Sequence, residues 1–192
     1  MPKVVYVTGA PAAGKSSTLR KLAEDVPALK VWEYGARLTE HLRERSADVE
    51  NQADLRSQSA SIVKPSDVAE VDQILLYFVE LHRTDYNILI DSHPETKEEY
   101  GYRITPFSLD QFTRLAPDEI WLFYVSPDET RRRISLDAAG RPLVTEEEAR
   151  MHTALQSSVA ATYGMAIGRP VYLFDTAGSQ EQLAYRLRQR LQ

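Results

Sequence analysis

Residues 3–18 read KVVYVTGAPAAGKSST, and they decide the fold. A short β-rich run, Val4 to Thr8, feeds directly into two glycines, Gly9 and Gly14, followed by Lys15 and Ser16. The spacing fits G-x-x-x-x-G-K-[ST], a loop that cradles phosphate. Gly9 and Gly14 let the backbone turn tightly and approach an anion closely. Successive N–H groups of Ala10, Ala12, Ala13 and Ser17, in a loop that Pro11 stiffens, with the positive end of the helix that follows, favour phosphate oxygens. Lys15 can reach the outer phosphates, and the Ser16 hydroxyl can meet Mg²⁺. The strand before the loop and the helix expected from Gly14 to about Asp25 supply the context that makes the motif meaningful.

The rest of the chain alternates strands and helices. Strands are expected at 30–34, 87–91, 119–125 and 170–175. Helices are expected at 37–45, from Ser66 or Asp67 onward, at 108–115, 127–136, 145–167 and 179–191. Val68, Val71, Leu75, Phe78 and Val79 share one helical face. Ser108 with Gln111, and Thr145 with Glu148, have capping-box spacing. Residues 46–63 are polar and weakly periodic, which reads as loop. Five strands separated by helices imply an α/β fold with a mostly parallel sheet covered on both faces. The strand order cannot be read from this pattern. Ligands in such sheets bind at the carboxyl ends of strands. Three markers fall there: the glycine-rich loop, Asp91 and Asp175.

The chain has 192 residues, a net charge of −5, 43% apolar and 27% charged residues, and no cysteine. These values fit a single soluble domain. They exclude a disulfide framework and a thiolate metal site, and the acidic balance argues against a nucleic-acid partner. No apolar run reaches membrane-spanning length, and the N-terminus lacks the layout of a signal peptide. A cytoplasmic protein is expected. The sequence sets no oligomeric state.

Asp91 ends an apolar strand, "NILID", where a carboxylate can serve a metal ion beside Ser16. The alternative is a capping aspartate in a turn before Pro94. His93 is a candidate contact for an acceptor or a turn residue. Phosphoryl transfer also needs positive charge outside the loop. Arg56 lies in the polar stretch, and Arg141 in the punctuated segment "DAAGRPL" at 137–143. Arg131, Arg132 and Arg133 are consecutive on a helix, about 100° apart, so they cannot all face one ligand.

The ordered set "VTGAPAAGKSS", "YGARLTEHL", "ADLRSQ", "LIDSHPETKEEYGY", "LAPDEIWLFYVSPDE" and "AATYGMAIGRPVYLF" resembles the archaeal-type adenylate kinases. These are a branch of the P-loop nucleoside monophosphate kinases, and the likeness spans nearly the whole chain. It implies a P-loop NTPase fold with a five-stranded parallel core. ATP and Mg²⁺ would lie at the loop, an acceptor-side flap at about 35–66, and a short lid at about 137–144. Arg56 would hold the acceptor phosphate, with Tyr34, Gly35 and His93 on the acceptor side. Arg133 and Arg141 would fall on the lid hinge and lid and act with Lys15 in catalysis. Ser16 and Asp91 would serve the metal.

The chain departs from the family at three places. Ala12 stands where the family has glycine, and a glycine-like φ there costs an alanine about 1 kcal/mol or more. "NQA" replaces an acidic-arginine run before Arg56. The lid carries only Arg141. The expected activity is transfer from ATP to a small acceptor, a nucleoside monophosphate first. The alternatives are a kinase of a small-molecule hydroxyl and a non-catalytic ATP-binding module.

Overall fold

The computed structural model describes residues 1–45, 51, 62–136 and 143–192. Arg56, Arg141, nearly half of the expected flap and most of the expected lid lie outside them. Five strands form one parallel sheet: β1 (Val4–Gly9), β2 (Leu29–Glu33), β3 (Asn87–Asp91), β6 (Glu119–Tyr124) and β7 (Val171–Asp175). Its order is β2-β3-β1-β6-β7. The expected parallel core is present, and β1 sits at its centre. The chain leaves β1 for the far edge, returns beside it as β3, and reaches its other side as β6. That reversal makes the carboxyl end of β1 the topological switch point, where crevices open in such sheets.

Alternation along the strands covers both faces. Val4, Tyr6, Ile88, Ile90, Ile120 and Leu122 pack on one side. They meet helices α2 (Tyr34–Glu44), α3 (Pro65–His82), α4 (Leu109–Leu115) and α6 (Glu146–Ile167). Val5, Val7, Leu89, Trp121 and Phe123 pack on the other. There they meet α1 (Lys15–Asp25) and α7 (Gln180–Arg190). A further helix, α5 (Pro127–Leu136), follows β6.

Both capping boxes form. Ser108 Oγ accepts from Gln111 N at 3.1 Å, and Thr145 Oγ1 accepts from Glu148 N at 3.1 Å. Three local expectations are corrected. Tyr34 opens α2 rather than closing β2. Helix α3 starts at Pro65, whose missing N–H suits a first turn; Asp67 then caps from inside that turn, accepting from Lys64 N at 2.9 Å. The segment after Asp91 folds into an antiparallel hairpin, β4 (Glu95–Glu98) with β5 (Gly101–Ile104), that the pattern did not announce. Its turn has no Asn-Gly or Asp-Gly pair, and its strands are mostly polar or charged, so the usual hairpin signal is missing.

Candidate functional site

The loop leaves β1 at Gly9, whose φ is +150°. A Cβ there would lie 2.1 Å from the Phe123 carbonyl oxygen of β6. This glycine is therefore required by strand packing as well as by turning. Ala10 N donates to the same carbonyl at 3.2 Å, and Ala13 N donates to Ala10 O at 3.2 Å. Ala12 takes φ +57°, so the left-handed strain expected of an alanine at this position is present. Gly14 follows at φ +73° and opens α1. Its position has room for a Cβ, so its requirement is conformational. Ser17 Oγ donates back to Gly14 O at 2.9 Å, which leaves Ser16 as the hydroxyl facing the cleft.

Lys15 is buried at 6% exposure, and its ammonium lies among polar groups of the loop and of β3. Nζ lies 3.4 Å from Gly9 O, 3.2 Å from His93 Nε2 and 3.9 Å from Asp91 Oδ1. An ammonium at this place can turn to a bound anion, since charge-assisted bonds to phosphate oxygens are strong. Asp91 ends β3 in register with Val7 of β1, which puts its carboxylate beside the loop. Ser16 Oγ donates to Asp91 Oδ2 at 3.5 Å. A hydroxyl and a carboxylate side by side are the hard oxygen donors that Mg²⁺ takes when phosphates and water complete its shell. The donor set therefore fits that ion.

Ser16, Asp91 and His93 line a cavity of about 520 Å³, with Lys15 beside them. Pro11, Ser16, Asp91 and His93 stand at its loop end; Tyr34, Gly35 and Phe107 form another part of the wall. Tyr34, Gly35 and His93 thus share one cleft with Ser16 and Asp91. The Tyr34 hydroxyl donates to Asp72 Oδ1 at 2.7 Å. Burial raises the Asp72 pKa above the ordinary carboxylate value.

The remaining wall was not read from the sequence. Glu95 and Lys97 of β4, Arg103 of β5, and Glu148 and His152 of α6 belong to it. The hairpin that carries three of them gave no periodic signal. The three residues between Asp91 and Glu95 in "DSHPE" were the only hint that a second carboxylate lies close by.

Arg133 contacts the loop from behind. Its guanidinium donates to Ala12 O at 3.1 Å, Thr176 O at 2.9 Å and Glu129 Oε1 at 2.7 Å. It bridges the loop, the turn after β7 and its own helix. Arg132 pairs with Glu129 at the surface, and Arg131 is exposed. Asp175 closes a local turn, accepting from Ala177 N at 2.8 Å.

A family model for the AAA domain matches residues 8–150, from the end of β1 into α6. The chain belongs to that family. Two curated relatives of this AAA-domain chain are adenylate kinases. One, from Thermococcus onnurineus, is 28% identical over 167 residues, covering 86% of this chain and 82% of the relative. The other, from Pyrococcus horikoshii, is 29% identical over 179 residues with the same coverage. Among solved structures, a shikimate kinase from Bacteroides thetaiotaomicron superposes with a TM-score of 0.58 at 16% identity, over 98% of both chains. An unliganded sugar kinase from Janibacter sp. gives 0.56 at 14%, over 97% of this chain and 92% of that one. Those two likenesses carry the fold. The AAA-domain chain has the P-loop fold and is a P-loop kinase. No helix among the described residues is long and apolar enough to cross a membrane.

Proposed function

We propose that this kinase moves the γ-phosphoryl group of ATP to a small acceptor bound in the 520 Å³ cleft. The observation that carries the reading is the convergence of Lys15, Ser16 and Asp91 at one end of a cleft that Tyr34 and Gly35 also line. Residues 9–17 bind the triphosphate through backbone N–H groups and the α1 N-terminus. Lys15 meets charge on the transferring group. Ser16 and Asp91 hold magnesium, which offsets phosphate charge when bound. Arg133 supports the loop through Ala12 O and adds positive charge behind it. Arg141 on the lid at about 137–144 supplies charge when the cleft closes.

A nucleoside monophosphate is the first acceptor, supported by the two adenylate kinase relatives. Arg56, on the flap at about 35–66, grips its phosphate, with Tyr34, Gly35 and His93 beside it. Such an acceptor is already nucleophilic and needs no base. A hydroxyl acceptor is the second reading, favoured by a specific observation: Glu95, a buried carboxyl, forms part of the cleft wall.

The test is ADP formation from ATP and Mg²⁺ with a panel of nucleoside monophosphates and small alcohols, for the parent and Lys15→Ala. Acceptor-dependent turnover that falls by orders of magnitude in the variant is expected. Turnover within a few fold of the parent would rule out the loop assignment. No turnover with any acceptor, despite ATP binding, would favour a binding module.

A further inference from the structure

Among the described residues, the cations in the cleft wall are Lys64, Lys97 and Arg103. Two arginines on the α2 side are committed elsewhere. Arg37 pairs with Glu40 at 3.0 Å, and Arg45 pairs with Asp67 at 3.2 Å and Glu70 at 2.6 Å. Lys97 of β4 is held by Glu148 of α6 at 2.8 Å. Lys64 precedes α3 at the surface. Arg103 of β5 has a different setting. Its side chain is 30% exposed where it borders the cleft, so a ligand can reach it.

The hairpin holds Arg103 on a fixed platform. Thr105 N donates to Pro94 O at 2.6 Å and closes the hairpin base. The Tyr102 hydroxyl donates to Glu148 O at 2.8 Å and fastens β5 to α6. Thr96 stands opposite Arg103 in the strand register, and Glu98 opposite Gly101, so the side chains of Thr96, Glu98 and Arg103 share one face. There Thr96 Oγ1 donates to Glu98 Oε1 at 3.2 Å, and Arg103 Nη2 pairs with the same oxygen at 2.9 Å. The carboxylate is steadied on one side and orients the guanidinium on the other. A guanidinium carries five N–H donors in a planar fork, so it can serve a carboxylate on one edge and a phosphate on another.

The hairpin also links the two ends of the cleft. At one end, the pKa of His152 is pushed down to about 4, first by burial and then by the charges of Lys15 and Lys97. That puts β4 within electrostatic reach of the phosphate loop. At the other end, four residues after Arg103, Phe107 packs edge-on to Tyr34 with ring centroids 5.8 Å apart. Phe107 N donates to the Tyr163 hydroxyl at 2.7 Å, which anchors this exit. The chain therefore runs from Arg103 into the wall that Tyr34 and Phe107 form.

The geometry points to Arg103 as a phosphate-binding residue of the acceptor site, which makes the acceptor a phosphate monoester. This rests on the reading of the chain as a kinase whose first acceptor is a nucleoside monophosphate. Two guanidinium N–H groups meet two oxygens of the acceptor phosphate while Glu98 keeps the fork in its plane. The third oxygen forms the bond to the γ-phosphorus. The bond between the γ-phosphorus and the β–γ bridging oxygen breaks, and its electron pair leaves with ADP. The attacking oxygen is already anionic, so no proton moves.

The experiment measures ADP formation from ATP and Mg²⁺ with AMP, GMP, CMP and UMP, for the full chain and the variants Arg103→Ala, Arg103→Lys and Glu98→Gln. Each nucleoside without its phosphate is titrated as a competitor of its own monophosphate, and ATP binding is followed with a fluorescent nucleotide. For the best acceptor, Arg103→Ala is expected to raise KM about 10- to 100-fold, as loss of a charged hydrogen bond does. ATP affinity and the inhibition constant of the bare nucleoside stay at the parent's values. Arg103→Lys recovers part of the loss, because a point charge lacks the fork. Glu98→Gln, which keeps the arginine but loosens its orientation, raises KM less than Arg103→Ala does. An acceptor KM unchanged in Arg103→Ala overturns the proposal. So does equal weakening of nucleoside and monophosphate, the mark of a merely structural arginine, and so does a loss that falls on ATP instead. Those results leave the acceptor reading standing. A parent that turns over none of the four monophosphates would remove that reading, and this inference with it.

Discussion

Ala12 holds φ +57° because the carbonyl it presents is bonded to Arg133 and because Gly14 must follow in a left-handed conformation to start α1. An L-residue pays about 1–2 kcal/mol for that conformation. Ala12→Gly removes the strain but frees the unfolded chain, which costs back about 0.5–1 kcal/mol. A net stabilisation of up to about 1 kcal/mol is expected, visible as a higher urea midpoint at unchanged m-value. A lower midpoint would show that the strain is relieved elsewhere.

At the same scale, Glu95 and His152 set opposing pH dependences. Glu95 is raised from 4.5 to about 8 by burial, so its contribution is fully present below 4.5 and lost as pH rises through 8. His152 is lowered from 6.5 to about 4, so its contribution is present above 6.5 and lost as pH falls through 4. The two slopes oppose each other between 4.5 and 6.5, and only the Glu95 loss continues above that. Denaturant melts of Glu95→Gln should lack much of the stability loss that the parent shows from pH 6.5 to 8. Equal losses in both proteins would mean that Glu95 finds a donor in the folded protein.

At the scale of elements, the loop is held from three directions. β1 and β6 meet so closely at Gly9 and Phe123 that no side chain fits between them. Thr8 Oγ1 donates to the buried Gln156 Oε1 at 2.8 Å, tying the end of β1 to α6. Arg133 ties Ala12 and Thr176 to α5. Its planar fork reaches two carbonyls and a carboxylate at once, which a lysine point charge cannot reproduce. Arg133→Lys and Arg133→Ala should therefore both weaken ATP binding, with lysine rescuing little. Nucleotide titration checks this; full rescue by lysine would mean that charge alone matters at this position. The helix caps were legible because both halves of each box sit three residues apart in the chain. The hairpin was not, because its pairing of Glu95 with Ile104 depends on contacts with α6 rather than on a turn motif.

For the whole molecule, the phosphate site couples to global stability because it is assembled from β1, α1 and β3 together. Saturating ATP and Mg²⁺ at about 100 times Kd should stabilise the folded chain by about 2.7 kcal/mol. Thermal melts should show that rise in the parent and lose it in Lys15→Ala, whose own melting without nucleotide stays near that of the parent. A Lys15→Ala protein that is still stabilised as much would mean that the nucleotide binds elsewhere.

The sequence by itself determined the loop and the carboxylate that faces it. It also gave the five strands and the helices between them, because apolar alternation, capping pairs and G-x-x-x-x-G-K-S are all written within short reaches of chain. Tertiary structure decided the strand order that seats β3 beside β1 and so brings Asp91 within 3.9 Å of Lys15, 76 positions earlier in the chain. It decided that Arg133 braces the loop from behind. It also decided that Glu95, an ordinary glutamate in a charged stretch, is stripped of water between β4 and α6. Desolvation belongs to the packed molecule: it depends on what covers a residue, and no local pattern in the chain records that.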